Sequence, residues 1–269
     1  MNQPNFGFIG CGNMGGALAC AVSKVIANDH IFLCDTVPEK AMALSTLCGG
    51  QVCDTETLTK TCDYIFLGAK PQGFAGLFDT LRPFLKARAE APVLISMAAG
   101  LSISAVEQMA EIPCPIIRIM PNTPVSVGEG MILYAVNGNV TPQQEADFAQ
   151  ALSHAGRQDK LADEKIDAAS ALSGCGPAFV YLFAEALADG AVECGLPRDK
   201  AMLYASQTML GAASLLLESG KHPGELKDAV CSPGGTTIAG VHALEAGAFR
   251  ASAMNAVTAA YEKTLKLKK

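Results

Sequence analysis

The stretch Phe6-Gly-Phe-Ile-Gly10-Cys-Gly12-Asn-Met-Gly15-Gly-Ala-Leu18 decides the fold. Its apolar opening, 6–10, predicts a short strand, and the Ala-rich run 13–27 behind it predicts a helix. Three glycines with G-x-G-x-x-G spacing stand at the join. Gly10 permits a tight turn, Gly12 lets the backbone approach a pyrophosphate, and Gly15 allows the helix to pack closely on the strand. An anion placed there faces the unpaired N–H groups of a helix N-terminus. A glycine turn also serves helix packing alone in other proteins. The strand before it and the helix after it point here to a dinucleotide. A methyltransferase would open its glycine loop with an acid, and none is present.

Outward from this turn the chain alternates. Strands are predicted at 6–10, 30–35, 51–53, 64–69, 93–98, 116–120 and 131–136, and helices at 13–27, 38–47, 73–85 and 102–110. Pro38 and Ser102 are helix-start residues. Apolar runs of four to six residues between helices imply strands covered on both faces, as in a parallel α/β sheet. From Glu164 onward only helical patterns appear. Two of them, 178–194 and 198–219, are apolar nearly all round and need cover on every side. A partner subunit supplies it naturally; a self-contained helical domain with these two at its centre is the alternative. The fold class is therefore α/β, with an N-terminal Rossmann-type dinucleotide-binding domain over 1–158 and a C-terminal all-helical domain over 159–269, for which dimerisation and substrate binding are the expected roles.

Ligands of such sheets bind beyond the carboxyl ends of the strands. Asp35 ends the second strand, where an acid accepts ribose hydroxyls and repels a 2′-phosphate, favouring NAD; it also reads as a solvated strand end. Lys70 in the loop Ala69-Lys70-Pro71-Gln72 suits a phosphate or carboxylate, or is a solvated helix-start lysine. Ala98-Ala-Gly100 ends another strand. Met120-Pro-Asn122-Thr123-Pro is stiffened by two prolines, and Asn122 and Thr123 there offer uncharged hydrogen bonds to a nicotinamide amide or a substrate, or serve as turn residues. Late in the chain, Ser232-Pro233-Gly234-Gly235-Thr236-Thr237 opens a helix. Its glycines, hydroxyls and helix dipole make a cradle for a carboxylate; it also reads as a capped turn between helices.

Composition excludes other classes. Half of the 269 residues are apolar, 17% are charged, Trp is absent and the net charge is −6, which argues against a nucleic-acid partner. The basic run 263–269 closes a helix, where cations offset the negative end. Ten cysteines contain no C-x-x-C pair, and the four histidines lack metal-ligand spacing, so a reduced, metal-free protein is expected. The start of the chain runs into a strand without a visible leader. The apolar stretch 179–192 is broken by Glu185 and Asp189, too polar for a bilayer span. A cytoplasmic protein with no membrane partner is the expectation.

The Ser-Pro-Gly-Gly-Thr-Thr block resembles the signature of pyrroline-5-carboxylate reductases. Gly-Phe-Ile-Gly-Cys-Gly-Asn-Met-Gly at the first turn, Ala-Lys-Pro-Gln at 69–72, Ile-Arg-Ile-Met-Pro-Asn-Thr-Pro at 117–124 and Leu-Ser-Gly-Cys-Gly-Pro-Ala-Phe at 172–179 resemble the family's other blocks in order. The resemblance covers essentially the whole chain and implies NAD(P)H-dependent reduction of 1-pyrroline-5-carboxylate to L-proline, the last step of proline biosynthesis. It implies a homodimer with interlocked C-terminal helices, with larger assemblies of dimers known in the family. It places Ser232, Pro233, Gly234, Gly235, Thr236 and Thr237 around the substrate, with Thr237 as the catalytic candidate hydrogen-bonding the ring nitrogen. The cofactor candidates are Ile9, Gly10, Gly12, Asn13, Met14, Gly15, Asp35, Ala69, Lys70, Pro71, Ala98, Gly100, Met120, Asn122 and Thr123. The family often prefers NADPH (NADP) over NADH (NAD); Asp35 departs from the neutral residue many relatives carry, and puts that preference in doubt. Two rivals stay open: a hydroxyacid dehydrogenase, for which Lys165 is the candidate acid, and a non-catalytic dinucleotide sensor.

Overall fold

The computed structural model of the chain describes residues 3–267. By backbone contacts it divides into two compact units, one running to Cys175 and taking in the chain from Ala260, the other Gly176–Ala259.

The first unit is built on β1 (Phe6–Ile9), β2 (Ile31–Cys34), β3 (Gln51–Val52), β4 (Tyr64–Leu67), β5 (Val93–Ser96), β6 (Ile116–Met120), β7 (Gly130–Val136) and β8 (Gly156–Lys160), with helices α1 (Asn13–Val22), α2 (Pro38–Cys48), α3 (Thr55–Thr61), α4 (Phe74–Lys86), α5 (Ile103–Ala110), α6 (Pro142–Ala151) and α7 (Asp163–Ser173). The sheet order is β3-β2-β1-β4-β5-β6-β7-β8. The first six strands are parallel, β7 runs antiparallel to β6, and β8 is parallel to β7. Their order is that of a doubly wound dinucleotide fold, with its reversal point between β1 and β4.

Period-two alternation divides the strand side chains between two cores. Phe6, Phe8, Ile31, Leu33, Tyr64 and Phe66 join Leu18 and Val22 of α1, Leu44 of α2 and Phe148 of α6 on one face. Ile9, Phe32, Ile65, Leu67 and Leu94 join Leu58 of α3, Phe78 and Leu81 of α4 and Val106 of α5 on the other. Phe6 stacks on its register partner Tyr64 at 4.7 Å and Phe8 on Phe66 at 4.5 Å, tying β1 to β4 across the reversal point.

Pro38 and Ser102 start helices as expected: Pro38 is the first residue of α2, and the Ser102 hydroxyl accepts from the Ala105 N–H. Other elements differ from expectation. α1 ends at Val22 rather than 27, because 23–26 wind into a tight turn with the Val25 N–H on the Val22 carbonyl. β8, α3 and α6 were not expected. β8 is an outer strand with the polar sequence Gly-Arg-Gln-Asp-Lys, so it carries no apolar alternation. α6 has a full capping box between Thr141 and Gln144 with Pro142 behind it, a signal that is legible in the sequence. The boundary expected at 158/159 falls inside β8; β8 and α7 pack on the sheet, so the compact unit extends to Cys175. The end of the basic run, 268–269, lies outside the described residues.

Beneath the carboxyl end of β6 lies a buried ionic cluster. Arg118, 1% exposed, donates to Asp163 Oδ1 at 2.8 Å and to Asp167 Oδ1 at 2.5 Å. The cluster fixes α7 on the sheet.

The second unit contains α8 (Gly176–Glu193), α9 (Arg198–Ser219), α10 (Pro223–Ala229), α11 (Thr236–Ala246) and the first part of α12 (Phe249–Leu267). α8 packs on α9 through Ala188, Ala201 and Ala205, the buried residues of this unit's core. Large apolar side chains such as Tyr181, Leu182, Leu203, Leu210 and Leu217 stand more than half exposed. Apolar surface on this scale marks an association face.

Replacing Arg118 by Met strips two carboxylates at the α7–β6 junction of their guanidinium. Breaking a buried pair in this way costs about 3–5 kcal/mol, so the urea-unfolding midpoint of Arg118→Met should fall well below that of the parent chain; an unchanged midpoint would refute a structural role for the cluster.

Candidate active site

Each glycine of the first turn meets a different steric demand. Gly10 has φ +103°, and a Cβ there would meet the Gly68 carbonyl oxygen at 2.9 Å. A Cβ on Gly15 would lie 2.0 Å from the Gly10 carbonyl oxygen, so only glycine lets α1 approach β1 so closely. A Cβ on Gly12 would meet no protein atom within 4 Å. The first two glycines serve the fold. Gly12 caps α1 with its backbone open, which fits the close approach of a phosphate.

The turn is held from the side by Asp35. Its Oδ2 accepts the Cys11 N–H at 2.7 Å and its Oδ1 the Val37 N–H at 2.8 Å. The carboxylate is thereby fixed against the backbone of the turn. Cys11, within the turn, is buried against β2. Desolvation first, then the charge of Asp35, pushes its thiol up to about 12, so it stays neutral and packs as a small hydrophobe.

Ile9, Gly10, Gly12, Asp35, Ala69 and Lys70 line one crevice of about 680 Å³ at the reversal point. Asn13 lines an adjoining groove of about 550 Å³ between α1 and α2, which Gly12 shares. Lys40, absent from the sequence-predicted set, borders both. Its signal was its place on the first turn of α2, five residues beyond Asp35. The remaining predicted residues spread outward from this crevice. Met14 packs half-buried against the core, and Pro71 follows Lys70 into a short 3-10 turn. Ala98 is buried after β5, and Gly100 has φ +79°. Met120 closes β6, buried. Asn122 is engaged structurally: it donates to the Ser173 carbonyl at 2.9 Å and accepts the Met131 N–H at 2.8 Å. Thr123 next to it is exposed. These residues share the edge where parallel strands end. Lys165 lies exposed on α7.

In the helical unit, Ser232–Gly235 forms a turn closed by the Gly235 N–H on the Ser232 carbonyl at 3.0 Å. Pro233 and then Gly234 at φ +69° occupy its centre, the residues a type II turn demands. Gly235 caps α11, and a Cβ on it would lie 2.3 Å from the Ser232 hydroxyl oxygen. Thr236 and Thr237 are exposed on the first turn of α11, where backbone N–H groups lack intrahelical acceptors.

Comparison with known proteins adds names to this geometry. Residues 163–267 match the family model described as pyrroline-5-carboxylate reductase dimerisation, and residues 5–100 match the one described as NADP oxidoreductase, coenzyme F420-dependent. The pyrroline-5-carboxylate reductase of Pisum sativum is 40% identical over 263 residues, spanning 97% of this chain and 95% of the relative. The crystal structure of Plasmodium falciparum pyrroline carboxylate reductase with NADP bound is 32% identical, has a TM-score of 0.88 and covers all of both chains. The pyrroline-5-carboxylate reductase structure from Coxiella burnetii is 30% identical with a TM-score of 0.91, again over the full length of both.

The glycines separate by experiment. Gly12→Ala should melt within the range of ordinary surface changes, about 0.5 kcal/mol of the parent, and yet lose most coenzyme affinity in a binding titration. Gly15→Ala should destabilise the fold itself. Equal melting of the two variants would overturn the division.

Proposed function

The chain belongs to the pyrroline-5-carboxylate reductase family, and on that premise we propose that it reduces 1-pyrroline-5-carboxylate to L-proline with NADPH, NADH serving as an alternative donor, as the last step of proline biosynthesis. The observation that carries this reading is the presence in one chain of two anion cradles of different kinds: the open backbone at Gly12, and the Ser232–Thr237 turn on α11. One suits a dinucleotide pyrophosphate, the other a small carboxylate.

The coenzyme supplies the hydride for the imine carbon. We assign its seat to the carboxyl ends of the strands, with Gly10, Gly12, Asn13, Ala69, Lys70, Ala98, Gly100 and Thr123 lining it. Ile9, Met14, Gly15, Pro71, Met120 and Asn122 shape that lining, and Asn122 does so by pinning the loop 120–123 to β7 and α7. The substrate carboxylate is assigned to the α11 N-terminus, where the turn Ser232-Pro233-Gly234-Gly235 and the hydroxyls of Thr236 and Thr237 surround it. A protonated cyclic imine is already electrophilic, so no strong acid is required of the protein. Positioning then carries the catalysis, and well-oriented reactants gain about 7–11 kcal/mol. We assign Thr237 the hydrogen bond to the ring nitrogen as it becomes an amine.

The chain self-associates through its helical segment; we take the unit to be a homodimer. The helical run 163–193 is long and apolar enough to cross a bilayer by length and composition. It overlaps the matched dimerisation segment; its α7 part packs on the sheet through Ile166, and we read the exposed apolar side chains of its α8 part, such as Tyr181 and Leu182, as facing a second copy rather than lipid. The net charge of −6 supports a small-molecule partner rather than nucleic acid. Ten free cysteines support a reducing, cytoplasmic setting.

Purified protein given 1-pyrroline-5-carboxylate should consume NADPH, and no consumption of NADPH or NADH would sink the assignment. Thr237→Ala should lower kcat about ten- to a hundredfold, the worth of one hydrogen bond to a charged group, with coenzyme affinity unchanged. Parental turnover in that variant, with an intact fold, would remove Thr237 from the reaction.

A further inference from the structure

Coenzyme choice in doubly wound folds is set beyond the end of the second strand, where an acid marks NAD and a cation accommodates a 2′-phosphate. By residue type, Asp35 marks NAD. The structure gives that acid other work: both carboxylate oxygens accept backbone N–H groups, one from the glycine turn and one from its own turn.

Lys40 stands in the opposite situation. It is exposed, borders the crevice together with Asp35 and Thr36, and enters no salt bridge among the described residues. It also lies on the first turn of α2, the positive end of the helix dipole, where a cation is unfavourable. Helix stability therefore does not account for a lysine at this position, whereas an anion seated in the crevice would. Glu39 beside it supplies the acid that a helix start favours and is not part of the crevice lining.

We propose that Lys40, assisted by the Thr36 hydroxyl, takes the 2′-phosphate of NADPH and sets coenzyme preference in this chain, with Asp35 acting only to hold the glycine turn. The proposal rests on the reductase reading above. It turns the apparent NAD signature at Asp35 into a turn brace.

Calorimetric titration of the full-length protein with NADP+ and with NAD+ tests it. Lys40→Ala should weaken NADP+ about tenfold, the factor expected of one charge-assisted contact, and leave NAD+ within about twofold. Lys40→Arg should keep NADP+ binding, because a guanidinium also pairs with phosphate. The NADP+ affinity of the parent should fall more steeply with salt than that of Lys40→Ala. Asp35→Asn should change the ratio of the two affinities by less than Lys40→Ala does, because the carboxylate is held on the turn's backbone N–H groups. Equal weakening of both coenzymes in Lys40→Ala, or no weakening, overturns the proposal. So does a tenfold gain in NADP+ preference in Asp35→Asn. A parent protein that binds neither coenzyme sinks the reductase reading and this inference with it, a result distinct from any change confined to the variants.

Discussion

The whole nucleotide half depends on one close approach, that of α1 to the carboxyl end of β1. At Gly15 there is no room for a methyl group against the Gly10 carbonyl, and at Gly10 none against Gly68. Because α1 sits so near, its first turn is presented at the reversal point between β1 and β4, where the sheet order leaves a crevice. A turn fit to cradle a pyrophosphate follows from steric exclusion at two residues and its absence at a third, Gly12. The stacked pairs Phe6–Tyr64 and Phe8–Phe66 hold the two strands that flank this point.

A second constraint sits where the sheet meets the helices. Arg118 is buried in a strand and finds both of its carboxylates on α7, and Asn122 bonds the last residue of the same helix. A charge withdrawn from water demands its partner in a fixed geometry. The loop 120–123 and the end of α7 are consequently held together within one unit. Asn122 and Asp35, whose types suit a ligand contact, also brace the loops they stand on.

Much of this was legible in the sequence. The alternation of short apolar runs with helices gave the parallel sheet, and G-x-G-x-x-G at its start gave the turn. The near-uniform apolarity of 178–194 and 198–219 matches helices whose own unit buries little beyond three alanines. What was missed was missed for cause. β8 is a polar outer strand without apolar alternation, α3 is a short polar helix, and Lys40 comes to border the crevice only once α2 has been placed beside α1.

The sequence by itself determined the fold class, the glycine turn and the Pro-Gly turn at 232–235 that opens a helix, because periodicity and backbone tolerance are local properties. Only the tertiary structure decided which side chains remain available. Folding sets which neighbour a polar side chain meets, and here Asp35 and Asn122 meet backbone groups while Lys40 stays exposed on the lining of the crevice.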